Sequence, residues 1–163
     1  MNRASGLPLV LSCICVLLAG SGRAAGPKDE KASADTASKA ATQFLADLRA
    51  KNINALVKSI RKPWYNGGEI AKTEADVRAA LGAMAEWYDE RRAKEYKVLA
   101  AGPYKKLKTE ESSDLGPKDI REMDQVLKGN DWLVILGPPK KPRLYILVKE
   151  LNGKMTVIGA HKL

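Results

Sequence analysis

The sequence predicts an α+β fold in which helices come first and an antiparallel sheet follows. Apolar residues recur at helical spacing between Ala37 and Leu48, and again between Val77 and Tyr88. Short apolar runs separated by turn residues fill the C-terminal part of the chain. The chain has 163 residues, enough for one domain with a substantial core and too few for two ordinary domains.

Residues 1–25 have the three parts of a secretory signal peptide. Arg3 gives the start a positive charge, residues 7–19 are apolar, and small residues including Ala24 and Ala25 follow. The apolar run has about 13 residues, fewer than the ~20 that a membrane-spanning helix needs. We therefore expect a signal peptide cleaved after Ala24 or Ala25 and a protein that is exported, periplasmic or secreted.

Both cysteines, Cys13 and Cys15, lie inside this apolar run. Lipoprotein anchoring through Cys13 is the alternative, because the small residue Ser12 precedes it. The bulky Leu11 and the continuation of the apolar run beyond Cys13 argue against lipidation. Cleavage of the leader would remove both cysteines, so we expect no disulfide and no thiolate chemistry in the mature protein.

The first elements of the mature chain are predicted to be two helices. Residues 26–36 are small and polar and predict a flexible lead-in, so the single domain is expected over residues 37–163. The first helix carries the apolar stripe that begins at Ala37. The second helix begins near Ile53 and must end before Pro63, because proline disfavours the helical conformation in the preceding residue.

A hairpin and a third helix are expected next. Asn66-Gly67 between apolar residues is a strong signal for a tight β-hairpin. Thr73 is positioned to cap the following helix, with Asp76 completing a capping box. Later elements are a strand over residues 96–101, a short helix opened by Pro117, and strands at 132–136, 144–148 and 155–160.

This order of elements resembles the nuclear transport factor 2-like superfamily, the cystatin-like cone that includes SnoaL-like domains. The segment FLADLRAKNINALVKSIRKPWY is similar to its two opening helices and the start of its hairpin. GGEIAKTEADVRAALGAM resembles the return strand and third helix, and GKMTVIGAHKL the closing strand. The resemblance implies a cone fold, in which a curved antiparallel sheet wraps around the N-terminal helices and leaves a conical cavity. The helix at 117–127 is one extra short helix, and members of the superfamily use the cavity for catalysis, for binding or not at all.

The formal net charge of +9 suggests anionic partners without requiring them. The simplest interpretation is a solvated cationic surface without a specific partner. The more specific interpretation is peripheral contact with an anionic membrane or envelope surface. The candidates for such contact are clustered cations: Lys105, Lys106, Lys108, Lys140, Lys141 and Arg143. No nucleic-acid-binding motif occurs, so no nucleic acid partner is expected.

Acid–base chemistry has few candidates in this sequence. His161 is the single histidine, and its place near the C-terminus favours a solvated side chain. Strand alternation would put it on the face of Met155, Val157 and Gly159. We expect no metal and no cofactor, because the mature chain lacks cysteine, has one histidine and contains no phosphate-binding glycine loop.

Aromatic residues are the remaining candidates for a pocket or an interaction surface. Most would be ordinary core residues, but tyrosine hydroxyls could also bind a polar ligand edge. Trp64 and Tyr65 stand out, because the tip of a hairpin is usually exposed. The pocket or interaction candidates are Trp64, Tyr65, Trp87, Tyr88, Tyr96, Trp132, Tyr145 and His161.

The sequence therefore favours an exported, non-catalytic domain that binds a ligand or a protein, with a conical pocket. Its partner would be an unknown small molecule or protein, and a homodimer through the open face of the sheet is a further expectation. Two alternatives stay open. One is a small-molecule isomerase or hydrolase that uses a tyrosine or aspartate in the cavity. The other is a basic domain that binds an anionic envelope surface.

Overall fold

A computed structural model describes residues 27–88 and 95–162. The predicted signal peptide, with Cys13 and Cys15, lies outside the described residues. Among the described residues, no helix is long and apolar enough to cross a bilayer.

The described residues form helices on both sides of one six-stranded sheet. The helices are α1 (Pro27–Arg49), α2 (Ile53–Ser59), α3 (Glu74–Trp87), α4 (Tyr104–Leu107) and α5 (Pro117–Met123), with a 3-10 turn at Glu111–Ser113 between α4 and α5. The strands are β1 (Trp64–Asn66), β2 (Glu69–Ala71), β3 (Lys97–Pro103), β4 (Trp132–Gly137), β5 (Leu144–Leu151) and β6 (Lys154–Lys162).

The sheet is curved and unclosed, and its strand order is β2-β1-β6-β5-β4-β3. This confirms the predicted α+β class, with the sheet against the N-terminal helices and a short helix inserted before β4. The sheet is mixed rather than wholly antiparallel, because β1 runs parallel to β6 with Tyr65 opposite Gly159. The hairpin β1–β2 therefore extends the sheet beyond the C-terminal strand, with β2 at the edge.

Helix α1 is longer than the sequence predicted. It begins at Pro27, so residues 27–36, expected as a lead-in, are helical. Proline is well suited to the first helical position, and Asp29 and Glu30 in the first turn interact favourably with the helix dipole. Residues 31–36 include two alanines and a lysine, which favour the helical conformation.

The interior of the curved sheet is packed with apolar side chains. Phe44 and Leu48 of α1, Leu81 of α3 and Ile146 of β5 are all buried in one cluster. Trp64 stacks on Phe44 with ring centroids 5.5 Å apart. The described side chains that the helices and the sheet turn toward this interior thus form an apolar cluster.

The opposite face of the sheet is also covered. Leu133 and Ile135 of β4 and Leu147 of β5 pack there, with Leu107 from α4 and Met123 from α5. Strands buried on both faces are continuously apolar, which explains the uninterrupted sequences of β4 and of the first half of β5. The face expected to be open for a homodimer is therefore covered over these two strands, and the dimer itself stays a prediction.

Candidate functional site

A bulge in β6 determines where His161 lies. Ile158 is an extra residue in the pairing of β6 with β5, which shifts at this point. Met155 and Val157 before the bulge face the helices α1–α3, whereas His161 after it shares the opposite face with Tyr65 and Tyr145. The expectation that His161 shares a face with Met155 and Val157 is wrong, because strict alternation is interrupted where one residue is inserted.

His161 is buried, with only 6% of its surface exposed, so the expected solvated side chain is also wrong. Strand β6 continues to Lys162 and remains paired with β5, where Tyr145 lies directly opposite His161. This pairing holds the end of the chain in the sheet. The ring centroids of Tyr145 and His161 are 6.1 Å apart.

The first polar partner of His161 is Asp119 in α5. Nε2 of His161 lies 2.8 Å from Oδ1 of Asp119. The other carboxylate oxygen, Oδ2, accepts a hydrogen bond of 2.9 Å from the backbone N–H of Gly116, which precedes the helix. Asp119 therefore caps the N-terminus of α5 and at the same time binds the histidine.

The second polar partner is Tyr65 in β1. Its hydroxyl lies 3.3 Å from Nδ1 of His161 and 3.4 Å from Oε2 of Glu122. Glu122 lies one helical turn after Asp119 in α5, so the two carboxylates share a helix face. Burial, and then the negative charge of Glu122, raise the pKa of the Tyr65 hydroxyl well above its usual value. The phenol therefore acts as a neutral hydrogen-bond donor.

The turn of the hairpin closes over these residues. Gly67 and Gly68 have φ angles of 54° and 96°, which glycine adopts without strain. A Cβ atom on Gly68 would lie 3.1 Å from a carboxylate oxygen of Glu122. The Asn-Gly-Gly sequence thus provides both the tight turn and the close approach of the backbone to the site.

A cleft of about 560 Å³ opens beside this cluster. It lies between the hairpin turn, α5 and the end of β6. Its lining residues are Asn66, Gly67, Glu69, Lys118, Asp119, Glu122, His161 and Lys162. Three carboxylates and the ammonium group of Lys118 therefore face one polar cleft, and Lys118 and Glu122 form a contact of 3.8 Å within it.

Trp64 and Tyr65 are not exposed, although the sequence suggested an exposed pair. Their exposed fractions are 0% and 2%. Strand β1 lies between β2 and β6, so the pair belongs to the inside of a sheet and not to a free tip. Successive side chains of a strand point to opposite faces of the sheet. Trp64 therefore packs on the face that contacts α1–α3, and Tyr65 contacts His161 on the opposite face.

The other aromatic candidates do not join this cluster, except Tyr145. Trp132 packs in the interior, and Tyr88 contacts Tyr96 edge to face at 5.4 Å. The ring of Trp87 is covered by the ammonium group of Lys162, 4.7 Å from its centroid. The structure thus brings Tyr65, Tyr145 and His161 together and places the remaining aromatic candidates elsewhere.

Asp119 and Glu122 are the site residues that sequence reasoning missed. Gly116 followed three residues later by Asp119 is a capping signal, and Glu122 comes three residues after that. This spacing could have identified two carboxylates on one helix face. Their partnership with His161 has no local signal, since β6 and α5 are distant in sequence.

The cations considered for an anionic surface form two separate groups. One group lies in and just after α4, near the start of β4, and consists of Lys105, Lys106 and Lys108. The other lies in the loop after the end of β4 and consists of Lys140, Lys141 and Arg143. A six-residue strand of about 17–20 Å separates the groups. Lys108 pairs with Asp124 at 2.9 Å, and Lys106 approaches Glu30 at 3.8 Å. These cations do not form one continuous patch.

Within the described part of the chain, no group of three or more histidine, cysteine, aspartate or glutamate residues is arranged to hold a metal ion. His161 contacts protein partners through both ring nitrogens. The polar cluster can therefore hold and orient protons and bind polar groups at the cleft.

Comparisons with known proteins add a likeness in shape. No protein-family model matches the sequence, and the search of curated proteins found no significant match. Among solved structures, the chain is similar to a protein of unknown function with a cystatin-like fold from Nostoc punctiforme. The identity is 12% and the TM-score 0.42, and the alignment covers 84% of this chain and 91% of the other.

Proposed function

We propose that the protein is an exported, non-catalytic binding domain whose ligand site is the cleft around His161. One contrast carries the proposal. The described residues inside the curved sheet form an apolar cluster, whereas the cleft on its other side opens to solvent beside a buried histidine. The volume of about 560 Å³ is within the usual range of small-molecule sites. The proposed site thus lies on the other side of the sheet from the conical pocket expected from the sequence.

The hydrogen bonds of His161 favour binding over catalysis. A general base needs a nitrogen that can reach the proton of a substrate. In His161, Nε2 is engaged by Asp119 and Nδ1 by Tyr65, so protein groups occupy both nitrogens. A histidine held in this way is a fixed part of the site lining and has no free nitrogen for a substrate proton.

The charges of the cleft indicate the chemistry of its ligand. Glu69 and Glu122 offer carboxylate oxygens, and Lys118 offers an ammonium group, all along the lining of one cleft. A small zwitterion such as a free amino acid, or a short peptide, carries the complementary pair of charges. We propose this class of ligand, because charge-assisted hydrogen bonds are among the strongest that a solvated cleft can form.

Binding can be tested directly. Native mass spectrometry of the purified protein would show a retained ligand and the oligomeric state, and NMR titration with a mixture of free amino acids would locate the site. We expect shifts at Asn66, Lys118 and Lys162, and at least tenfold weaker binding in Glu122→Gln. The matched control is Glu86→Gln, an exposed carboxylate of α3 outside the lining. An unliganded protein that no amino acid perturbs would overturn the proposal.

Membership of the nuclear transport factor 2-like superfamily and export are parts of the same proposal. The order of two helices, hairpin, long helix and antiparallel strands supports the first, and the charged, apolar and small-residue segments of the leader support the second. N-terminal sequencing of the protein from the cell envelope or medium tests export. A mature N-terminus at Ala25 or Gly26 is expected, and a lipid-modified Cys13 would establish the anchored alternative.

An acid–base enzyme of the hydrolase or isomerase kind is the second candidate. The 2.8 Å contact between Asp119 and His161 favours it, because a carboxylate often orients a catalytic imidazole. Tyr65 would have to leave Nδ1 when the substrate binds. Turnover of ester or ketone substrates that His161→Gln abolishes and Glu86→Gln preserves would favour this candidate over simple binding.

A further inference from the structure

A second groove lies on the same face of the sheet as the cleft, beside the base of the hairpin. It has a volume of about 480 Å³ and lies between the segment before β1, the end of β5 and the residues after α5. Four cations line it, namely Arg61, Lys62, Lys128 and Lys149, and we call it the cationic groove. Among the described residues that line it, none is an aspartate or glutamate.

Two of the four cations have compensating partners outside the groove. Lys149 pairs with Asp131 at 3.1 Å, and Lys62 with Glu74 at 3.6 Å. Arg61 and Lys128 are exposed, and neither forms an ion pair with any described residue. The groove therefore presents two positive charges that the described protein does not neutralise.

The floor of the groove is apolar. Ile70 on the edge strand β2 is 40% exposed, which is unusual for a large aliphatic side chain of this domain. Ile158, the bulge residue of β6, also lines the groove but is buried, and Val126 and Leu151 complete the floor as half-buried side chains. A concave apolar floor under a cationic rim is suited to a molecule with an acyl chain and an anionic head.

We propose that the cationic groove binds the anion of a medium- or long-chain fatty acid. Its carboxylate would be held by Arg61 and Lys128, since a guanidinium group matches the two oxygens of a carboxylate. Its acyl chain would cover Ile70 and the exposed parts of Val126 and Leu151 and remove their apolar surface from water. A single free molecule is favoured over a bilayer, because a flat surface would contact the cationic rim without reaching the recessed floor.

This site is independent of the cleft around His161. The two sets of lining residues share no member. The cleft has both signs of charge and a polar wall, whereas the groove has cations and an apolar floor. A failure of either proposal leaves the other unaffected.

The test is a titration of the purified protein with sodium dodecanoate below its micellar concentration, followed by ¹H–¹⁵N NMR and calorimetry. We expect saturable shifts of the amides of Ile70, Lys128 and Ile158 with one molecule bound per chain. Affinity should rise about tenfold from decanoate to dodecanoate, because two additional methylene groups become buried. Acetate has no acyl chain and should not bind detectably.

Charge variants distinguish binding in the cationic groove from attraction of the anion to the positive charge of the whole protein. The double variant Arg61→Gln/Lys128→Gln should bind dodecanoate at least tenfold more weakly. The matched variant Lys105→Gln/Lys106→Gln loses the same charge from exposed residues of α4 and should bind as the wild type does.

Three results would overturn the proposal. One is unchanged binding in the groove double variant. Another is equal affinity for dodecyltrimethylammonium, which would show that the head group is not recognised. The third is binding to anionic phospholipid vesicles without binding to free dodecanoate, which would assign these cations to a membrane surface instead.

Discussion

The imidazole of His161 and the carboxylate of Asp119 lie 42 positions apart in the sequence, and their atoms Nε2 and Oδ1 are 2.8 Å apart. An ionised carboxylate can only accept hydrogen bonds, so Nε2 carries a hydrogen and donates a hydrogen bond to Asp119. The hydroxyl of Tyr65 lies 3.3 Å from Nδ1 and 3.4 Å from Oε2 of Glu122, so its single hydrogen has two acceptors within reach. This chain of contacts connects the last strand to the start of α5 and to the hairpin.

Replacing Asp119 with alanine should expose the energetic importance of this contact. The variant leaves the buried Nε2–H of His161 without its partner and removes the cap from Gly116. We expect a loss of about 2 kcal/mol or more in the free energy of unfolding, the usual range for a buried donor left unsatisfied. Urea denaturation measures this loss. Long-range ¹H–¹⁵N NMR should show the Nε2–H tautomer in the wild type and a weaker preference in the variant.

The adjacent residue in α5 provides the control. The side chain of Lys118 is 81% exposed, and its contact with Glu122 is long. Lys118→Ala should therefore change the free energy of unfolding by no more than about 0.5 kcal/mol. Equal losses in the two variants, or an Nδ1–H tautomer in the wild type, would contradict the hydrogen-bond arrangement described for His161.

Two glycines should respond to alanine in opposite directions. A Cβ atom on Gly159 would lie 2.7 Å from Cβ and 2.8 Å from the backbone oxygen of Tyr65, where β1 and β6 pair. Gly159→Ala should destabilise the fold by about 3 kcal/mol, because the strands cannot separate without breaking the pairing. A Cβ atom on Gly82 in α3 would meet no neighbouring atom within 4 Å outside its own helix backbone. Gly82→Ala should stabilise by about 0.5–1 kcal/mol through helix propensity.

Thermal and urea denaturation of the two glycine variants measure these effects. A stable Gly159→Ala protein would show that β1 does not pair with β6 in solution. The test is therefore also a test of the one parallel pairing in the sheet.

The order of secondary structure could be predicted because it depends on local signals. The Thr73–Asp76 capping box and the hairpin turn after Asn66 are each specified by residues within four positions of one another, although the turn is centred on Gly67-Gly68 and not on Asn66-Gly67. The N-terminal start of α1 was missed, because small polar residues do not distinguish a helix from a lead-in without knowledge of what packs against them. The parallel placement of β1 beside β6 was also missed, because it joins distant segments.

The site was harder to predict than the fold for the same physical reason. Its existence depends on the bulge at Ile158, which changes the face of His161 by inserting one residue. Gly159 in the sequence V-I-G-A-H is compatible with a bulge, but a glycine alone does not show which residue is inserted. The partner Asp119 was identifiable as a cap, but its second role follows only from the packing of α5 over the sheet.

Two tyrosines with different hydroxyl environments should respond differently to phenylalanine. The hydroxyl of Tyr88 is buried and has no hydrogen-bond partner among the described residues. That of Tyr145 donates a 2.6 Å hydrogen bond to the backbone oxygen of Ser113. Tyr88→Phe should therefore be neutral or stabilising at pH 7, whereas Tyr145→Phe should cost about 1–2 kcal/mol, because it also leaves a buried carbonyl unsatisfied. Urea denaturation distinguishes them, and equal losses would contradict the assigned environments.

The buried tyrosines also predict a loss of stability at alkaline pH. Burial raises the pKa of Tyr88 from 10.0 to about 12, against a smaller opposing effect of Arg49. Burial likewise raises the pKa values of Tyr65, Tyr104 and Tyr145, and nearby carboxylates reinforce the effect at each. The unfolded chain therefore releases phenolic protons at lower pH than the folded protein does.

The direction of the pH effect follows from these raised values. The contribution of each tyrosine is complete below pH 10 and is lost as the pH rises through the folded pKa, which for Tyr88 means between about 10 and 12. Two pKa units correspond to about 2–3 kcal/mol for that residue. The urea midpoint should fall steeply from pH 10 to pH 11.5, and less steeply in Tyr88→Phe. Phenolate absorbance at 295 nm should appear together with unfolding. Four tyrosines that ionise near pH 10 in a protein that stays folded would show that these hydroxyls are accessible to water.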